Sequence, residues 1–140
     1  MVESRWEHFP HQADIGVRGR GPTREAAFEQ AALALTAAVC DPGIVRPIER
    51  VPIECEAEDQ EMLLVAWLNA LIYEMATRRM LFGRYRVQIS DDLCLHADAW
   101  GEPVDVPRHQ PAVEPKGATV TELRVVQSAG AWVAECVVDV

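Results

Sequence analysis

Two short stretches at opposite ends of the chain hold the residue types best suited to chemistry. The first is His11-Gln12-Ala13-Asp14-Ile15-Gly16, a polar cluster that enters an apolar run. The second is Val137-Val138-Asp139-Val140, an aspartate set among valines. An aspartate in that setting must be solvated, paired or metal-bound. Asp14 and Asp139 would together supply hard oxygen ligands, with the Val140 carboxylate or carbonyl as a third. An all-oxygen set favours calcium or magnesium over zinc. Taken alone, His11 and Asp14 also fit a His–Asp pair or a plain turn closed by an Asx bond. Glycine at 16 leaves room for a backbone or an ion to come close.

The elements between these stretches must bring them together. Residues 5–20 read as extended, with Ile15, Val17 and Gly19 alternating against Gly16, Arg18 and Arg20. Pro10 marks a bend and Gly21-Pro22 a stop. Thr23 suits a helix N-cap, and Ala27, Phe28, Ala31, Leu35 and Ala38 form one stripe. Val51, Ile53, Cys55 and Ala57 alternate with polar residues, and Pro52 points to an edge strand. Asp59 caps a second helix with Leu64, Trp67, Leu68, Leu71 and Met75 inward. Further strands follow around Tyr85–Ile89 and Leu93–Trp100, then a proline-rich loop from Gly101 to Lys116. Thr119–Gln127 and Trp132–Asp139 read as a hairpin closed by Ser128-Ala129-Gly130. The order predicts a single α+β domain over residues 1–140, with one mostly antiparallel sheet of about six strands packed on two helices.

Bulk composition narrows the function. At 140 residues the chain is one ordinary domain. It holds 13 basic against 22 acidic residues, a net charge of −9. Nucleic-acid affinity rests mainly on Lys and Arg against phosphate, so that balance argues against tight direct RNA binding. An acidic surface suits a basic protein partner. Cys40, Cys55, Cys94 and Cys136 form no CxxC pair and read as small core residues of a reducing compartment. No apolar signal core or bilayer-length stretch is visible, which predicts a cytoplasmic protein. The Gly16–Gly21 run lacks GxGxxG spacing and a GK[ST] ending, so it is no nucleotide cradle.

Several motifs resemble those of the archease family. His11 to Gly16 is similar to its HxADIG signature, and Val138-Asp139-Val140 to its closing strand. Met80-Leu81-Phe82-Gly83-Arg84-Tyr85 resembles its LLFxRF segment. Gly101-Glu102-Pro103 with Arg108-His109 is similar to its GEP…RH loop, and Glu114 to Thr119 to its ExKAxT segment. Asp59 to Tyr73 is like its second helix. Each motif is weak alone; their common order along nearly the whole chain is specific. The chain departs at Val120-Thr121, where relatives carry Tyr-His, and at Pro115 and Gly117, where they carry Val and Ala.

The resemblance implies a non-catalytic accessory of the GTP-dependent tRNA-splicing RNA ligase. Such a protein promotes guanylylation of the ligase, so that it turns over repeatedly in tRNA processing and RNA repair. It implies metal ligation by Asp14, Asp139 and Val140, with calcium first and magnesium or manganese as alternatives. It places Arg108, His109, Glu114 and Lys116 in a charged loop that meets the ligase or orders the site. His11 is expected to fix the Asp14 loop from behind, and extension beyond Val140 to weaken ion binding. Two other classes stay open: a stand-alone metal-dependent phosphoesterase, and a general chaperone-like module that needs no cation.

Overall fold

The computed structural model describes residues 2–140. Its strands are β1 (Arg5–His11), β2 (Asp14–Gly21), β3 (Glu49–Glu56), β4 (Met80–Ile89), β5 (Cys94–Pro103), β6 (Gly117–Ala118), β7 (Arg124–Ser128) and β8 (Ala131–Asp139). The helices are α1 (Arg24–Val39), α2 (Gln60–Arg78) and the single turn α3 (Val106–His109). The α+β class is as expected, but the strands divide into two sheets rather than one. The larger runs β1-β2-β8-β6 with β7 also on β8, and the smaller runs β3-β5-β4. Both α1 and α2 pack against strands of both sheets. The alternating strands give each sheet one apolar face, and the helix pair lies between those faces.

Local chemistry explains the helix boundaries. Thr23 accepts from the Ala26 N–H at 3.0 Å, and Asp59 accepts from the Met62 N–H at 2.7 Å. Each cap satisfies an N–H that the first turn leaves unpaired. Helix α2 ends at Arg79, which takes a left-handed conformation with φ 54°. Trp67, Phe28, Phe82 and Leu35 are fully buried between the sheets. The Trp67 indole N–H donates to Phe28 O at 3.0 Å, and Thr36 Oγ1 donates to Phe82 O at 2.8 Å. These bonds let polar side chains enter the core without an unpaired group.

Other departures have plain causes. The extended segment 5–20 is a hairpin, turned at Gln12-Ala13, with Gln12 at φ 53°. Pro10 lies inside β1, an edge strand that spares its missing N–H. Pro52 likewise lies on the edge strand β3. Thr119–Gln127 is not one strand: β6 and β7 are separated by a turn with Glu122 at φ 53°. The hairpin at Ala129-Gly130 forms as expected, with φ 52° and 77°. All four cysteines are free; Cys40 and Cys136 are buried, whereas Cys55 and Cys94 are only half-buried. Burial pushes the Cys55 thiol up to about 11 and the Cys136 thiol up to about 12, away from reactivity.

Candidate functional site

The outer face of the larger sheet brings the two ends of the chain together. His11 lies opposite Asp14 in the β1–β2 pair. Ile15 lies opposite Val138 in the antiparallel β2–β8 pair. One step further in that register sets Asp14 against Asp139. Alternation then turns His11, Asp14 and Asp139 to the same face, opposite to the buried Val17, Cys136 and Val138. Directly opposed residues hold their Cβ atoms about 4.5–5.5 Å apart. The Val140 N–H donates to Asp14 Oδ1 at 3.3 Å, which ties the last residue to the first strand pair. On the other side of β8, the Lys116 N–H donates to Asp139 O at 2.8 Å.

Two carboxylates on neighbouring strands repel unless a cation lies between them. The donors fit a hard divalent ion. Among the described residues no cluster of three or more His, Cys, Asp or Glu side chains is placed to hold a metal. A cation on Asp14 and Asp139 would therefore complete its sphere with main-chain or water oxygens, as calcium does readily. His11 Nδ1 is buried and has no hydrogen-bond partner. A buried unpaired nitrogen beside a carboxylate is a place for an ion's bound water or a tightened Asp14 loop. Gly16 serves a different purpose from ion approach: its missing side chain makes room for the Phe9 ring on the same face.

One row beyond Phe9 and Gly16, Arg18 bridges Glu7 at 3.1 Å and Glu135 at 3.2 Å, and Arg124 joins Glu135 at 2.8 Å. Burial pushes the Glu135 carboxyl up, but the hydrogen bonds from Arg18 and Arg124 outweigh it and leave it below its usual value. This ladder is self-neutralising, so the uncompensated acids of the face are those at the Asp14 end.

The Archease protein family (MTH1598/TM1083) matches residues 6–140. The chain belongs to the archease family. It is 38% identical to the archease of Pyrococcus furiosus, covering 97% of this chain and 99% of that one. It is 40% identical to the archease of Thermococcus gammatolerans, covering 96% and 98%. The solution structure of Methanobacterium thermoautotrophicum protein 1598 superposes with a TM-score of 0.84 at 30% identity, covering 96% and 98%. An archease from Thermotoga maritima, described as a possible chaperone, shares the fold with a TM-score of 0.65 at 19% identity.

The archease loop between β5 and β6 is anchored by a residue that sequence reasoning passed over. Glu102 is buried at the end of β5 and collects Arg108 Nη2, the His109 ring at 3.0 Å and the Arg46 N–H at 2.7 Å. The Asp105 N–H donates to His109 Nδ1 at 2.8 Å. His109 must therefore carry its proton on Nε2 and donate it to Glu102. The His109 side chain is wholly buried, so it orders the loop from within. Arg108 also donates to Ile44 O at 2.8 Å. Its side chain is partly exposed, but its charge is committed to Glu102. From this anchor the loop passes the end of α1, where the Ala112 N–H donates to Val39 O, and reaches Asp139 through Lys116. Glu114 and the Lys116 side chain are exposed. The signal available in sequence was the glutamate in Gly101-Glu102-Pro103 followed by Arg108-His109. The prolines that follow mask the end of β5, so this segment reads as loop in the sequence.

Hydrogen bonding by Arg108, then by the Arg46 N–H and His109, overcomes the burial cost and holds the Glu102 carboxyl down to about 2 from a usual 4.5. A lowered folded-state value stabilises the fold above the unfolded value and loses that stabilisation as pH falls. The stability gap between the wild type and Glu102→Gln should therefore be full above pH 4.5 and close progressively toward pH 2. Urea midpoints measured across that range test it; a gap independent of pH would show that the charge on Glu102 is irrelevant.

Beside the same loop lies an apolar groove of about 510 Å³, between the end of α2 and residues 104–115. Ile72, Met75, Met80, Val106 and Val113 line it, with Arg79 and Glu114 also in its wall.

Proposed function

We propose that this chain is a non-catalytic, cation-loaded accessory of a GTP-dependent tRNA-splicing RNA ligase, promoting its guanylylation and repeated turnover. The observation that carries the reading is the convergence of Asp14 with Asp139 and Val140 at one end of the β2–β8 pair. Asp14, Asp139 and Val140 would hold the ion, calcium first with magnesium or manganese as alternatives. When bound, the ion would supply positive charge able to orient phosphate oxygens at a partner's nucleotide site. The Val140 N–H holds the Asp14 carboxylate and the Lys116 N–H holds the Asp139 main-chain carbonyl, so the chain's own bonds fix one carboxylate and the backbone that carries the other before any partner arrives. The exposed Lys116 and Glu114 stand beside them for partner contact, and the apolar groove offers a seat for a protein surface. No GxSxG or Ser-His-Asp order accompanies the acids, and the nearest imidazole is His11, so the arrangement favours an accessory over a hydrolase. No helix of the described residues is long and apolar enough to cross a membrane.

Multiple-turnover ligation of 3′-phosphate and 5′-hydroxyl RNA ends, by a cognate ligase with and without this protein, tests the reading. A rise in turnover that disappears with Asp14→Asn is expected. Suppression of unrelated aggregation by wild type and Asp14→Asn alike, with no effect on ligation, would instead favour the possible-chaperone description given to the Thermotoga protein.

A further inference from the structure

The outer face of the smaller sheet carries a second, unrelated surface. Its central strand β5 presents Trp100, Asp98 and His96 outward, between β3 and β4. Register gives three rows across the sheet: Arg50–Trp100–Arg84, Pro52–Asp98–Arg86 and Glu54–His96–Gln88. No helix covers this face; Arg50, Arg84, Arg86, Gln88 and His96 are exposed. Trp100 is thus flanked on both sides by arginines, and the Arg84 guanidinium lies over its ring at 5.0 Å. Arg50 is paired with Asp98 at 2.6 Å, whereas Arg84 and Arg86 form no ion pair among the described residues. The exposed Arg46 leads into β3 at the Trp100 end of the sheet, its N–H on Glu102. A shallow trough of about 300 Å³ follows along β5, lined by Arg86, Gln88, His96, Asp98 and Glu54.

A chain of net charge −9 has here gathered arginines around an aromatic ring on an open sheet face. Burial does not require that grouping, because these side chains point away from the core. An aromatic platform with flanking guanidinium groups is the chemistry that holds a single nucleic-acid strand: bases stack on the ring and arginines meet phosphates. We infer that this face binds single-stranded RNA, one base taking the place of Arg84 over Trp100 and releasing Arg84 to a phosphate. Four residues along β5 separate Trp100 from His96, about 13 Å at about 3.3 Å per residue. That is room for a neighbouring nucleotide in the trough. Asp98 and Gln88 supply acceptors there for a ribose 2′-hydroxyl, the group that separates RNA from DNA. The acids Glu54 and Glu56 at the far end repel phosphate, so the strand is held at the Trp100 end. The chain-wide charge argued against tight RNA binding, and it is consistent with a weak, local contact. This surface does not depend on the ligase reading, and its test needs no ligase.

The experiment is fluorescence anisotropy of a labelled single-stranded oligoribonucleotide of about twelve residues, titrated with the full chain at low salt. Stacking of one base predicts that Trp100→Ala weakens binding by about tenfold or more, and that Trp100→Phe largely restores it. Arg84→Ala with Arg86→Ala should weaken binding and flatten its salt dependence by about 1.4 in log–log slope. A wild-type melting temperature for each variant separates these losses from unfolding. Three results would overturn the proposal: no anisotropy change at millimolar protein, equal affinity for the matching oligodeoxynucleotide, or equal competition by polyglutamate with no dependence on Trp100.

Discussion

Asp14→Asn should abolish the calcium-induced rise in melting temperature while leaving the ion-free protein folded. The register, continued one step beyond Ile15 and Val138, sets two carboxylates on adjacent strands, at opposed positions of β2 and β8. Asparagine has the same shape and keeps a carbonyl oxygen to accept the Val140 N–H, now made to Asp14 Oδ1 at 3.3 Å. It removes one of the two charges that a divalent ion would neutralise. In a chelator, the variant should be no less stable than the wild type, because like charges directly opposite across a sheet destabilise it by about 0.2–1 kcal/mol. With calcium at a hundred times its dissociation constant, the wild type should gain about 2.7 kcal/mol. For a domain of this size that is roughly a 10 °C rise in Tm. Asp139→Asn should behave alike, and the double variant should lose no more than either single change, since both act on one ion. Melting curves with and without calcium decide the matter. A wild-type shift that persists in both variants would place the cation elsewhere; no wild-type shift at all would remove the metal site.

Gly19→Val should unfold the protein or nearly so, a loss of at least about 3 kcal/mol. Gly19 sits where β2 meets α1, and a Cβ there would land on Ala27 O and Ala31 N, with Gln30 C at 2.9 Å. All three are main-chain atoms of one helix turn. No rotamer change can clear them, so the helix must lift from the sheet and open the core around Phe28 and Val17. Gly117→Ala makes the contrast. There a Cβ meets only Asn69 Oδ1, at an ordinary 3.5 Å, and the backbone is not left-handed. That change should be neutral or stabilise by about 0.4–1 kcal/mol through the unfolded chain. Urea denaturation of the pair measures both; equal midpoints would show that the helix does not rest on Gly19.

Much of this molecule was legible from local patterns. The two main helices, their caps at Thr23 and Asp59, the edge position of β3 and the Ala129-Gly130 hairpin follow from spacing, side-chain hydrogen bonding and turn chemistry. These are decided within a few residues along the chain. The aspartates could be named as ligands because carboxylates amid apolar residues need a partner, and the order of motifs pointed to the family. Their meeting could not be derived from the spacing. Asp14 and Asp139 become neighbours only because β8 returns to pair with β2 in one particular register, and a slip of one residue would turn one of them into the core.

The division into two sheets was beyond local pattern for the same reason. Alternation shows that a strand has one apolar face, but not which strand completes its hydrogen bonds. Tertiary structure alone decided that the helices would be enclosed between five strands and three. It also decided that Glu102, in a segment that reads as a polar loop, would be buried under Arg108, His109 and the Arg46 N–H. A carboxylate can enter the interior only when partners from separate segments arrive together. Net charge could not show such a grouping: it averages over the whole surface, whereas the arginines around Trp100 are gathered on one face by strand register. Sequence determined which residues could do chemistry; long-range strand pairing determined which of them stand together.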